Sequence, residues 1–242
     1  MNQLTDKFVS KNKCLYLSLM DLEKAYDRVN RSAMWKVLEQ YGVSGKLLQV
    51  VKSFYVESEA CVRVCRQESD WFGVKVGRHQ GCVMSPWLFN VFIDGVMREV
   101  QQEVRETGVS LWDASRNCAL KVGWLLYADD TVLVAGSEVE LQKLVDEFGR
   151  VCRKRKLSVN ISKSKVMKIG GNQGTNDLNV SLNNRRMEEV DTYRYLGVDI
   201  SSDGKMHEEL CHRMKEARKN AGMLKSLWNR RNVSREAKVG MF

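Results

Sequence analysis

The sequence predicts an α+β fold, and three observations carry that prediction. Short apolar runs end abruptly at acidic residues, as buried strands do. Turn-forming residues stand between paired runs, as hairpins require. Longer stretches with helical spacing begin at capping residues or end at glycine. Strands and helices are mixed rather than alternating in regular βαβ units, which sets the class. At 242 residues the chain is long enough for one large domain or two small ones, with a core that needs no staples.

Taken in order, Cys14–Met20 (CLYLSLM) is short and apolar and predicts a buried strand that runs straight into Asp21. Arg31–Tyr41 and Ser44–Tyr55 carry helical periodicity, separated by Gly42 at a C-cap. Cys61–Arg66 and Trp71–Val76 read as the arms of a hairpin. Ser85-Pro86 predicts the start of a long helix running to about Val104, with serine as N-cap and proline at the first helical position. Leu120–Tyr127 and Thr131–Ala135 are apolar runs around Ala128-Asp129-Asp130, a natural hairpin. Ser137 and Glu140 form a capping box for a helix with a basic end. Strand-like pieces follow at Lys165–Ile169 and Tyr193–Ile200, and a basic helix from about Met206.

Composition narrows the function classes. Hydrophobic residues make up 43% and charged residues 29%, as in soluble globular chains. No segment has the length of an uncharged membrane span, and the polar start (MNQLTDKFVSKNK) lacks a signal peptide's apolar core. The reading is therefore an intracellular protein with no membrane partner; neither compartment nor oligomeric state is fixed. Seven scattered cysteines argue against a disulfide framework, and no pair stands at zinc-site spacing with a second pair. Lysine and arginine outnumber acids 39 to 30, a net charge of +9 that favours polyanions. The positive charge gathers at Arg150–Lys156 and again from Arg213 to Arg235; each run also reads as a solvated helix face.

Two acidic positions stand out. Asp21 ends an apolar strand, and Asp129-Asp130 interrupts WLLYADDTVLVAG. Desolvated carboxylates cost several kcal/mol each unless paired or metal-bound, and adjacent acids repel. Taken alone, the pair reads as a water-exposed turn and Asp21 as a strand-end residue. Their combination reverses that reading, because neighbouring strands would bring all three to one metal site. Mg²⁺, with its preference for oxygen ligands, is the natural occupant, and Mn²⁺ the alternative. Two such ions serve in-line phosphoryl displacement with no nucleophilic side chain.

At these residues the chain resembles a known family. YADD (Tyr127–Asp130) is similar to the central metal-binding motif of reverse transcriptases, and MDLEKAYDRV (Met20–Val29) to the motif that supplies their first catalytic aspartate. HQGCVMSPWLFN (His79–Asn90), NISKSKVM (Asn160–Met167) and YRYLGVDIS (Tyr193–Ser201) resemble the template-and-nucleotide motif, the later lysine motif and the primer-grip hairpin. The order is most similar to enzymes of non-LTR (LINE-type) retrotransposons, with group II intron enzymes next. His79 stands where the family has arginine, and Val83-Met84 replace a common Pro-Leu pair.

The resemblance implies a right-hand polymerase palm, an antiparallel sheet packed on helices. It covers about Lys7 to the end. Residues 1–204 would be palm with partial fingers, and 205–242 the basic start of a helical thumb bearing Trp228. It implies RNA-directed DNA polymerase activity with two Mg²⁺ ions, an RNA template, a DNA primer and dNTPs. Asp21, Asp129 and Asp130 would be the catalytic metal ligands, with a backbone carbonyl from Leu22. Tyr26 would reject the ribose 2′-hydroxyl, although alone it reads as a core tyrosine. Gln80 and Gly81 would lie near nucleotide and template base. Lys163 would sit at the triphosphate, unless it is a solvated lysine. Tyr195, Leu196 and Gly197 would hold the primer end. With twenty residues before Asp21, most of the fingers would lie elsewhere, and the expectation is a fragment of a longer polyprotein. The alternatives are a non-catalytic nucleic-acid-binding remnant and an intron maturase.

Overall fold

The computed structural model describes every residue except 57, 75, 78–81, 106, 114–117, 171–177, 206 and 229–242. The chain opens with α1 (Asn2–Val9), which buries Leu4, and enters β1 (Leu15–Met20). A turn leads to α2 (Arg31–Gln40), whose N-cap Asn30 accepts the Ala33 N–H at 2.9 Å, and then to α3 (Gly45–Ser53).

The expected hairpin between Cys61–Arg66 and Trp71–Val76 resolves into four two-residue strands. They are β2 (Glu59–Ala60), β3 (Arg63–Val64), β4 (Gln67–Glu68) and β5 (Phe72–Gly73), with β3 on β4 and β2 on β5. Cys65 and Arg66 both take positive φ (49° and 69°), which makes the tight inner turn. Inner and outer pairs differ by one residue in register, as a bulge produces.

Next comes α4 (Met84–Glu103), and here too the sequence reading needs correction. The helix begins before Ser85, with Val83 at its cap and no side-chain cap bond. Pro86 lies in the first turn, where its missing N–H has no helical acceptor to lose. β6 (Val109–Asp113) then pairs with β7 (Cys118–Val122). The run 120–127 is not one strand. Gly123 divides it, so that Leu120–Val122 belongs to β7 and β8 (Trp124–Tyr127) pairs with β9 (Asp130–Ala135).

The predicted capping box opens α5 (Glu138–Lys154). Ser137 accepts the Glu140 N–H at 3.3 Å, while Glu140 reaches back one residue further than expected, to the Gly136 N–H at 3.1 Å. β10 (Lys165–Ile169), β11 (Ser181–Leu182), β12 (Arg185–Arg186) and β13 (Glu188–Glu189) follow. The strand-like piece at Tyr193–Ile200 forms the expected hairpin, β14 (Thr192–Tyr195) on β15 (Val198–Ser201). The basic helix α6 (His207–Trp228) packs against β15. Among the described residues, no helix is long and apolar enough to cross a membrane.

The main sheet runs β13-β10-β1-β9-β8. β1 is its centre, antiparallel to both β9 and β10; only β13 joins parallel. Side chains alternate across a strand, so the sheet has two faces. Met20, Leu133, Ala135 and Val166 face α2, α4 and α5 in the larger core, with Phe89, Phe92 and Phe148 fully buried there. Leu15, Leu17, Leu19, Val132 and Val134 face the other way, covered by Leu4 of α1, Val109 of β6 and Ile200 of β15.

The basic run at the end of α5 is largely internal cement. Arg155 holds Glu99 of α4 at 2.7 Å, Lys154 holds the same carboxylate, and Arg150 pairs with Glu147 at 2.6 Å. Arg153 bonds Asn183. Lys154 and Arg155 thus tie α5 to α4, Arg153 ties it to the turn at Asn183, and Arg150 pairs within the helix.

Candidate active site

Two strand ends bring the acids together. Met20 stands opposite Thr131 in the β1–β9 ladder, so one further residue along the same register places Asp21 opposite Asp130. Alternation then puts both on one face. Asp21 continues the row of Leu15, Leu17 and Leu19, and Asp130 that of Val132 and Val134. Asp129 lies in the two-residue turn closed by the Tyr127–Asp130 pair. Ala128, its partner in that turn, takes a φ of 54°, a left-handed conformation that costs a residue with a Cβ about 1 kcal/mol.

The electrostatics agree with this geometry. Partial desolvation raises the Asp130 carboxyl above its usual range, and repulsion from Asp129 and from Asp21 raises it further. One carboxylate thus feels both of the others. Burial also raises the Tyr193 hydroxyl, with Asp130 and Asp21 adding to it, and the Tyr195 hydroxyl, with Asp130 adding. The β14–β15 hairpin therefore lies within electrostatic reach of the acids.

The backbone around Asp21 is held firmly on its other side. Its N–H donates to Ser164 Oγ at 3.0 Å, and its C=O accepts from Asn160 N–H at 2.8 Å. Leu22 bridges Val159. The bonds of that bridge run through Asp21 C=O and Glu23 N–H, so the ladder does not use the Leu22 carbonyl. Lys163 is exposed in the same 160–164 turn, next to the Ser164 that holds Asp21.

Tyr26 is half-buried and stacks on Phe89 of α4, with centroids 4.5 Å apart and planes 17° apart. The tip of the β14–β15 hairpin carries Leu196 and Gly197 at φ 51° and 79°. That pair of left-handed residues makes a type I′ turn, natural for glycine and strained for leucine. Leu196 nevertheless stays 46% exposed there. Gln80 and Gly81 lie outside the described residues, so the structure neither joins them to the acids nor separates them.

Sequence reasoning missed three residues here: Ser164, Tyr193 and Phe89. All lie in motifs already singled out, but contacts across the fold, not local pattern, give them a role.

The donor set suits a hard divalent cation. It consists of carboxylates that repel one another, and it stands at the end of the sheet beside a backbone carbonyl that the ladder leaves unused. Among the described residues, however, no three acidic, imidazole or thiolate groups stand at coordination spacing. The three aspartates are adjacent rather than closed on one point.

Comparison with known proteins gives a consistent picture. Residues 2–200 match the family model described as "Reverse transcriptase (RNA-dependent DNA polymerase)". The type-1 retrotransposable element R2 polyprotein of Nasonia vitripennis is 27% identical over 205 residues, covering 80% of this chain and 19% of that one. The type-2 element R2DM polyprotein of Drosophila melanogaster is 25% identical, covering 79% and 18%. The RNA-directed DNA polymerase of the Drosophila melanogaster mobile element jockey is 26% identical, covering 76% and 19%. The chain thus spans about a fifth of the length of these relatives. Among solved structures, apo telomerase from Candida tropicalis truncated from its C-terminal domain superposes with a TM-score of 0.56 at 18% identity, covering 84% of this chain and 38% of that one. The Candida tropicalis telomerase in complex with a telomeric RNA fragment gives 0.57 at 17% identity, covering 86% and 33%. At these identities the structural likeness concerns the fold.

Proposed function

The chain belongs to the reverse transcriptase (RNA-dependent DNA polymerase) family, in its non-LTR retrotransposon branch, and from that premise we propose that it is the palm-centred part of an RNA-directed DNA polymerase. One observation carries the proposal. Acids remote in sequence, Asp21 and Asp130, meet on adjacent strand ends of one sheet face, with Asp129 in the turn beside them. The division follows the same lines: residues 1–204 as palm and partial fingers, 205–242 as the start of a thumb.

In this reading Asp21, Asp129 and Asp130 hold two Mg²⁺ ions, or Mn²⁺ in their place, with the Leu22 carbonyl as a further ligand. When bound, such ions acidify a primer 3′-hydroxyl and neutralise a triphosphate. The reaction joins the 3′-oxygen to the α-phosphorus of a dNTP, breaks the bond to the β-phosphate and releases pyrophosphate. The chain's own residues orient the reactants. The Ser164 hydroxyl and the Asn160 N–H fix the backbone at Asp21. Tyr26, backed by Phe89, fills the space a ribose 2′-hydroxyl would need. Lys163 gives a proton to the departing pyrophosphate, and Gln80 and Gly81 border the nucleotide. Tyr195, Leu196 and Gly197 steady the end of a DNA primer paired to its RNA template.

The test is primer extension on an RNA template with dNTPs and Mg²⁺, by this chain and by the longer polypeptide that contains it. Extension that Asp129→Ala abolishes supports the proposal. Salt-sensitive primer–template binding with no incorporation by either polypeptide would instead favour the non-catalytic remnant.

A further inference from the structure

The turn that carries Tyr26 is braced from two directions. The 158–164 segment holds one side of it, through Ser158, Asn160 and Ser164. On the other side stands Gly77, far away in sequence and buried. Its N–H donates to the Val29 carbonyl at 3.1 Å. Its φ is +76°, and a Cβ added there would lie 2.6 Å from the Asp27 carbonyl oxygen and 3.0 Å from Asp27 Cα. Only a residue without a side chain lets the two backbones approach so closely.

Arg31 holds Gly77 in that position. Its Nε donates to the Gly77 carbonyl at 3.0 Å, and its Nη1 donates to the Tyr55 carbonyl at 3.0 Å. The guanidinium also lies over the Tyr55 ring, 5.0 Å from the centroid, and Trp35 packs edge-on against that ring at 5.4 Å. A planar fork with two anchored prongs is pre-organised in a way that a lysine cannot reproduce. Arg31 thus pins Gly77, and Gly77 presses on the backbone of Asp27, the residue after Tyr26.

We propose that Arg31, acting through Gly77, is a positioning residue for Tyr26 and thereby sets how strictly the site rejects ribonucleotides. The inference rests on the reading of Tyr26 as the sugar gate. The fork and the glycine define the back of the turn, and the Tyr26–Phe89 stack defines its front. If the back is released, the ring keeps its neighbours but loses its height above the sugar.

The experiment compares wild type with Arg31→Ala, Arg31→Lys and Gly77→Ala, each checked by thermal melting. Single-nucleotide insertion of dNTP and rNTP is measured, together with amide hydrogen exchange of residues 22–30. Arg31→Ala and Gly77→Ala are each expected to lower dNTP-over-rNTP selectivity about tenfold. That loss appears chiefly as a lowered KM for rNTP, with kcat for dNTP within about threefold of wild type. Arg31→Lys is expected to fall between, because it keeps the charge but not the fork. Exchange in the turn accelerates in step. If Arg31→Ala melts too low to assay, Arg31→Lys and Gly77→Ala decide. Unchanged selectivity with unchanged exchange in folded variants overturns the proposal. Absence of insertion by wild type, in this chain and in the longer polypeptide alike, condemns the polymerase reading instead, and the exchange data then judge the latch alone: faster exchange upholds it, and identical exchange removes it.

Discussion

The two faces of the main sheet are made from alternate residues of the same strands, yet they are built to different ends. The face toward α2, α4 and α5 is sealed: Met34, Phe89, Phe92, Leu133 and Phe148 are fully buried, and the helices are cross-tied by Glu99 with Lys154 and Arg155. The opposite face is sealed only along its length. At the ends of β1 and β9 it presents Asp21 and Asp130, with Asp129 and the strained Ala128 in the adjoining turn, and the separate β14–β15 hairpin, strained at Leu196, lies within electrostatic reach. Burial, pairing and rotamer economy govern the first face. The second tolerates mutual repulsion and left-handed alanine and leucine, which a purely structural surface has no reason to keep. Stability and chemistry are thus divided across the thickness of a single strand.

Substitutions can break that division or sharpen it. The largest effect is expected at the acids. Asp129→Ala should reduce primer extension about 10³-fold or more while leaving the melting temperature equal or higher, because it relieves repulsion. A matched fall in stability would show that the acidic face also carries the fold. Next comes Phe92→Ala on the sealed face, with an expected loss of about 3–5 kcal/mol in denaturant unfolding.

The third test is pH, because the two faces titrate in opposite senses. Burial alone would raise Glu99, but the hydrogen bonds from Lys154 and Arg155 outweigh it and hold the carboxyl below its ordinary 4.5. A depressed acid stabilises the fold above its unfolded pKa, and that contribution fades as pH falls from about 4.5 through the depressed value. Asp130 is raised instead, so its penalty is complete above its folded pKa and is relieved as pH falls toward 3.8. Glu99→Gln should therefore cost about 1–2 kcal/mol near neutrality and flatten the acid limb of the stability curve, as thermal melts across pH 3–7 would show. Asp130→Asn should steepen the same limb. The smallest effect is expected at Ala128, where Ala128→Gly removes left-handed strain and should add up to about 1 kcal/mol. A loss there would mean that the alanine methyl packs usefully in the turn.

Much of this was legible in the residues. The β1 run ending at Asp21, the acid-bearing turn and the Ser137 cap are local signals, and each is present in the fold, with the Glu140 partner shifted by one residue. The errors share a cause. The start of α4, the split of run 120–127 and the register of β2–β5 depend on which distant segment each piece meets. So does the fate of the basic run on α5. The run itself was visible in the sequence, but not that Glu99, fifty-five residues before Lys154, pairs with Lys154 and Arg155. At the site, the acids were visible as costly anomalies. Ser164, Arg31 and Gly77 were not, since a serine, an arginine and a glycine are ordinary until their partners are known.

The position of β1 also has a consequence for how the chain is made. The central strand precedes its two neighbours, β9 and β10, by more than a hundred residues and so leaves the ribosome well before either. Until then Leu15–Met20 is an apolar ribbon with both edges unpaired, the kind of segment that recruits chaperones or sticks to its copies. Synthesis interrupted before Ile169 leaves that ribbon without its second partner, so nascent chains halted short of this point should aggregate and longer ones should not.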